Sequence, residues 1–160
     1  GMVRMPCSRS APRTFAVNFA PGTLQAVAKD KGTVVATHEL TTAGPASKIG
    51  LKASTQKLAH DFDSVAYVAV NVTDDKGTLV PRAKNHVKFT ISGPGEIAVV
   101  ENAQLVAQDY RTPEHDAYDG RIVVYVRSTG DAGKITLTAS SPELGQSTIS
   151  FDAAPPQPQR

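Results

Sequence analysis

Residues 65–83 read VAYVAVNVTDDKGTLVPRA, in which Val68, Val70 and Val72 occupy every second position before the polar turn Asp74-Asp75-Lys76-Gly77. A period of two belongs to a β-strand, whose successive side chains point to opposite faces. The same period recurs on either side. Upstream, Ile49, Leu51 and Ala53 alternate. Downstream, Val87, Phe89 and Ile91 alternate with His86, Lys88 and Thr90 and end at Gly93-Pro94-Gly95. Ile97–Val100 is a short apolar run, Ile135, Leu137 and Ala139 alternate after a Gly130–Gly133 turn, and Ile149 alternates with Phe151 after Leu144-Gly145. Arg121–Arg127 encloses IVVYV between two arginines and reads as a central strand covered on both faces. Seven short strands punctuated by turn residues predict an all-β fold, an immunoglobulin-like antiparallel β-sandwich over 45–153. No stretch sustains a helical period. Tyr67 and Tyr125 lie within strands and are expected to pack there with satisfied hydroxyls.

Ahead of the sandwich, Ala43-Gly44-Pro45 marks a boundary. Residues 14–44 contain an alternating Thr14–Phe19, a Pro21-Gly22 turn, Leu24–Ala28, an Asp30-Lys31-Gly32 hairpin signal and Val34–Thr41. They predict a three-stranded meander with too few apolar residues to bury a core of its own. Gly1 before Met2 reads as the scar of tag removal, and residues 1–13 as a disordered lead. Residues 154–160, with three prolines, read as an extended tail.

Composition agrees with short strands: Val, Ile and Thr make up 38 of 160 residues against 8 Leu, with 12 Gly and 11 Pro. A formal charge of +2 gives no electrostatic case for nucleic acid, and no apolar run reaches the length of a membrane helix. Cys7 is the single cysteine, which excludes an internal disulfide and the cross-sheet bridge of antibody domains. Residues 2–12 are basic and interrupted by proline, with nothing resembling a signal peptide, so the compartment is not encoded.

The long connection Asn102–Tyr118 (NAQLVAQDYRTPEHDAY) breaks the short-turn rule, and connections of this length are usually functional or mobile. Leu105–Ala107 is expected to add a small strand, leaving Gln108–Asp116 irregular. Asp109, Glu114 and Asp116 are the candidate metal ligands, because clustered carboxylate oxygens suit a hard cation. A merely polar loop explains the same residues. Tyr110 and Tyr118 are the candidate sugar-binding residues, since aromatic rings in loops offer flat platforms and the chain has no tryptophan. The four histidines match no zinc spacing, and Ser140-Ser141 lacks a nucleophile elbow. Gly93-Pro94-Gly95 precedes a strand rather than a phosphate-binding helix. No catalytic residue and no cofactor is expected.

The order of these segments resembles the C-terminal β-domains of family-two glycoside hydrolases, the β-galactosidase-like enzymes. Residues 19–44 (FAPGTLQAVAKDKGTVVATHELTTAG) resemble the closing strands of one β-domain. Val65–Ala83, Val87–Gly95 and Gly120–Ala139 resemble the module that follows it. One departure stands at Glu101-Asn102-Ala103-Gln104, where the family often has glycine in place of Ala103. The resemblance implies a non-catalytic accessory domain, with residues 14–44 as the last strands of a neighbouring module and the catalytic barrel elsewhere. Its partners would be the other domains of a parent hydrolase, with self-association through Thr14–Thr41 as a further possibility, and a periplasmic or secreted location would follow from the parent. An immunoglobulin-like module of a bacterial adhesin and a carbohydrate-binding module are the alternatives.

Overall fold

In the computed structural model, which describes residues 14–59, 61 and 63–155, every regular element is a β-strand. Cys7, the lead over 1–13, His60 and most of the proline-rich tail lie outside the described residues. Contacts divide the chain into two units between Thr42 and Ala43.

The first unit is a hairpin of β1 (Thr23–Asp30) and β2 (Thr33–Thr41). Lys31 and Gly32 form its two-residue turn with φ of 46° and 90°. Positive φ at both positions gives a turn whose twist matches that of the flanking strands. Thr42 N–H donates to Gly22 C=O (2.9 Å) and closes the open end of the ladder. Every residue of both strands is exposed. Thr14–Phe19, expected as a third strand, is not one: the sheet has two strands, and Phe15, Val17 and Phe19 are exposed. Alternation states which faces a strand would have, but it does not supply a neighbour to hydrogen-bond.

The second unit is a sandwich of nine strands. One sheet holds β3 (Lys48–Ala53), β5 (Val65–Thr73), β9 (Arg121–Ser128) and β7 (Gly95–Glu101), in the order β3-β5-β9-β7. The other holds β4 (Lys57–Ala59), β11 (Gly145–Ala154), β10 (Gly133–Ser141), β6 (His86–Ser92) and β8 (Glu114–Asp116), in the order β4-β11-β10-β6-β8. All pairs are antiparallel except β4–β11. Alternate residues of both sheets meet in one core. Val68, Val70, Val72, Ile122, Val124 and Val126 come from one side, and Val87, Phe89, Ile135, Leu137 and Phe151 from the other.

Further expectations need correction. β9 is central, as its sequence suggested, but only one face is covered: Ile122, Val124 and Val126 are buried, whereas Val123 and Tyr125 are half-buried. Leu105–Ala107 forms no strand, and Glu114–Asp116, expected to be irregular, forms β8. β4 adds a further short edge strand. Tyr67 is 53% exposed and does not pack in the core.

The Asp74-Asp75-Lys76-Gly77 turn owes its sequence to one carboxylate. Asp74, only 2% exposed, accepts from Gly44 N–H at Oδ2 (2.9 Å) and from Lys76 and Thr78 N–H at Oδ1 (3.0 and 2.8 Å). One side chain thus shapes the turn and ties down the start of the sandwich. The Gly44 bond, followed by those from Thr78 and Lys76, holds the Asp74 carboxyl below the ordinary carboxylate range despite its burial. A carboxyl lowered on folding stabilises the fold above its unfolded pKa of about 4 and loses that contribution as the pH falls through the lowered folded value. Asp74→Asn keeps one acceptor oxygen and turns an NH₂ group toward an N–H donor. Its thermal midpoint is expected to fall by roughly 5 °C or more at neutral pH. The gap from wild type should close on acidification through that range; a gap unchanged with pH in calorimetric melts would exclude the carboxylate as the cause.

Candidate functional site

The long connection after β7 is braced by Asn102, which is 6% exposed. Its Nδ2 donates to Asp116 C=O (2.8 Å), and its Oδ1 accepts from Gln104 N–H (3.1 Å). Between them Ala103 adopts φ 59°, the left-handed region that glycine enters freely and alanine does not. Ala103 therefore holds, under strain, a backbone conformation that suits glycine. Leu105 stands fully exposed at the tip of the connection and Val106 is 54% exposed.

The candidate metal ligands separate. Asp109 Oδ1 accepts from Arg111 N–H (3.0 Å), and Asp109 C=O lies 3.2 Å from His115 Nε2, so this residue shapes its own loop. Glu114 and Asp116 sit two apart on β8, opposite Lys88 and His86 of β6. His86 Nδ1 lies 2.8 Å from Asp116 Oδ1, and its Nε2 lies 3.9 Å from Glu114 Oε2. His86 thus stands between the two carboxylates. Among the described residues, no three His, Cys, Asp or Glu side chains are grouped to hold a metal ion. An open groove beside this edge is lined by His86, Lys88, Glu114, Ser140, Pro142 and Gln146.

Tyr110 and Tyr118 are 46% and 42% exposed, in different parts of the connection. Tyr110 C=O accepts from Val100 N–H (2.9 Å), which lays that part of the loop along β7. Tyr118 exchanges backbone bonds with Arg121 (3.1 and 3.0 Å) around a tight Asp119-Gly120 turn. Neither side chain is hydrogen-bonded to the other.

A different pair of tyrosines is brought together. Tyr67 and Tyr125 are directly opposed on β5 and β9, with Val99 of β7 on the far side of Tyr125. Their sequence neighbours Ala66, Val68, Val124 and Val126 are buried, so the tyrosines occupy the outer face of the four-stranded sheet. Tyr125 hydroxyl donates to Glu101 Oε1 (3.1 Å). That bond, with lesser contributions from burial and the Glu101 charge, raises the Tyr125 hydroxyl above the usual tyrosine range. In the neighbouring row Arg127 Nε donates to Glu96 Oε1 (2.8 Å), with Val65 on the other side of Arg127. The parity of Tyr67 against Val68, Val70 and Val72 carries this placement in the sequence itself.

Comparison with known proteins places this sandwich. Residues 49–150 match the model of the glycoside hydrolase family 2 C-terminal domain 5. The chain belongs to that family. It is 37% identical over 138 residues to a β-galactosidase of Bacteroides ovatus, a match covering 86% of the chain and 16% of that enzyme. A β-galactosidase of Thermoanaerobacter pseudethanolicus is 33% identical over 110 residues, covering 69% of the chain and 13% of the relative. The crystal structure of a glycosyl hydrolase family 2 member from Bacteroides cellulosilyticus superposes with a TM-score of 0.82 at 29% identity, over 86% of the chain and 18% of that structure. The family 2 chain thus spans about one sixth of its curated relative's length and corresponds to a C-terminal accessory domain. The sequence resemblance to β-galactosidase-like hydrolases is borne out. No helix among the described residues of this family 2 domain is long and apolar enough to cross a membrane.

Proposed function

We propose that this domain is a non-catalytic part of a β-galactosidase-like hydrolase, where it supports the catalytic region or shapes the approach of substrate. The observation that carries the reading is the family 2 C-terminal match over 49–150, together with the identity to two β-galactosidases. The carboxylates favour the same view. Hydrolysis of a glycoside needs two carboxyl groups facing each other across a sugar-sized cleft. Here Glu96 is bonded to Arg127, Glu101 to Tyr125 and Glu143 to Asn85, and Glu114 faces His86. The hairpin unit is read as the last strands of the preceding β-domain, and its exposed Leu24, Val27, Val34, Val35 and Leu40 as the surface on which a second copy can pair.

The purified chain is expected to show no turnover of aryl β-galactosides and to associate with rising concentration in sedimentation. Measurable hydrolysis abolished by mutating its own glutamates would overturn the non-catalytic reading. A strictly monomeric chain up to millimolar concentration would remove self-association. Parentage is tested in the coding DNA: an adjoining frame for a barrel with paired catalytic carboxylates supports it, and tandem copies of this sandwich in its place would refute it.

A further inference from the structure

We infer that the outer face of the β3-β5-β9-β7 sheet, centred on Tyr67 and Tyr125, binds the neutral pyranose rings of a glycan. The nomination of galactosides as the first probe rests on the proposed parent enzyme; the platform itself rests on the face. Adjacent strands lie about 4.8 Å apart, so the directly opposed Tyr67, 53% exposed, and Tyr125, half-buried, stand close enough for one pyranose ring to reach both. The apolar C–H face of a pyranose fits such a surface, and Val99 extends it onto β7.

The polar groups around the rings decide the ligand's class. Glu101 uses Oε1 for the Tyr125 hydroxyl, and Glu96 uses Oε1 for Arg127, which leaves each Oε2 without a protein partner among the described residues. Sugar hydroxyls can donate to those oxygens. The Tyr125–Glu101 bond also restrains one ring before any ligand arrives, which lowers the entropy cost of stacking on it. Arg127 is already paired with Glu96, so a charged ligand gains little from that pair; Lys52 and Arg121, opposite Ala69 and Asn71, are further cations of this face. Glu96 and Glu101, of a residue type depleted at protein interfaces, flank the rings and weigh against a protein partner, which the titration below separates from a sugar.

The test is a ¹⁵N-resolved titration of the whole chain with β-galacto-oligosaccharides and, separately, cello-oligosaccharides. Saturable shifts at Tyr67, Val99, Glu101 and Tyr125 are expected, with a dissociation constant on the order of 1 mM. Tyr67→Ala should weaken binding at least about fivefold, as loss of a stacking anchor does. Tyr67→Phe should retain it and melt like wild type, whereas Tyr67→Ala, which also loses the cross-strand pair with Tyr125, should stay folded with a midpoint lower by a few degrees. Binding of cello- but not galacto-oligosaccharides supports the platform and counts against a galactoside-acting parent. No saturable shift with either series overturns the inference, as do shifts confined to Tyr110 and Tyr118. It is equally overturned if Tyr67→Ala abolishes self-association while sugar titrations stay flat, which would make the face a protein contact.

Discussion

Phe89→Ala is expected to lower the unfolding free energy of the sandwich by about 3–5 kcal/mol, the usual cost of emptying a phenylalanine site in a packed core. Phe89 is 1% exposed and, with Phe151, is among the largest side chains fully buried in this domain. Its strand, β6, lies between β10 and β8, so a collapse around the cavity has to displace one of two hydrogen-bonded ladders. Its own N–H donates to Pro113 C=O (2.8 Å), the bond that introduces β8. The loss is large against the 5–15 kcal/mol that single domains hold in total. Urea unfolding should show a lower midpoint with the slope preserved, and Phe89→Leu, which leaves a smaller void, should lie between the variant and wild type. Hydrogen exchange gives the local signature: amides 114–116 should lose protection ahead of β5 and β9, which share the other sheet. A shift of less than about 1 kcal/mol would mean that the site refills and that the core is less closely packed than its burial implies.

How far the sequence could be read depended on how much each segment had to bury. β5, β6 and β10 place apolar residues on alternate positions because one face is core and the other is not, and there the period of two specifies strand and face together. β8, with the sequence Glu-His-Asp, buries none of its three residues, so its strand character comes wholly from backbone pairing with β6. Nothing in the side chains reports it. The reverse holds at Thr14–Phe19, where alternation is clean but the unit offers no third ladder among the described residues. Tyr67 and Tyr125 fell between these cases. Their parity against the buried valines was visible in the sequence. In β9, however, the outward positions Val123 and Tyr125 are themselves apolar, and alternation between two apolar faces cannot say which one is open. Proximity along the chain brings Glu114 and Asp116 together on β8 but leaves Asp109 in a separate turn.

Gly93→Ala is expected to be a severely damaging small substitution, for a reason the turn-like sequence Gly93-Pro94-Gly95 does not reveal. Two costs coincide at Gly93. Its φ is 88°, where a residue with a side chain pays about 1–2 kcal/mol. A Cβ there would also lie 2.1 Å from Lys134 C=O and 3.0 Å from its carbonyl carbon, and these are backbone atoms that no rotamer change can move. Lys134 is paired with Asp152 across β10 and β11, so relieving the clash means shifting the start of a ladder in the five-stranded sheet. Gly77 separates the two costs. Its φ of 84° is nearly the same, yet a Cβ there meets nothing within 4 Å. Gly77→Ala should therefore lose only the conformational cost, about 1–2 kcal/mol, and unfold with a normal slope. Gly93→Ala should lose at least about 2 kcal/mol beyond that or fail to yield folded protein, since steric overpacking adds to the φ cost. If chemical denaturation gives equal losses for the two variants, positive φ alone explains the motif. A difference of the expected size makes Gly93 the point where β6 hands over to β7 across the backbone of β10, a crossing that only a residue without a side chain can make.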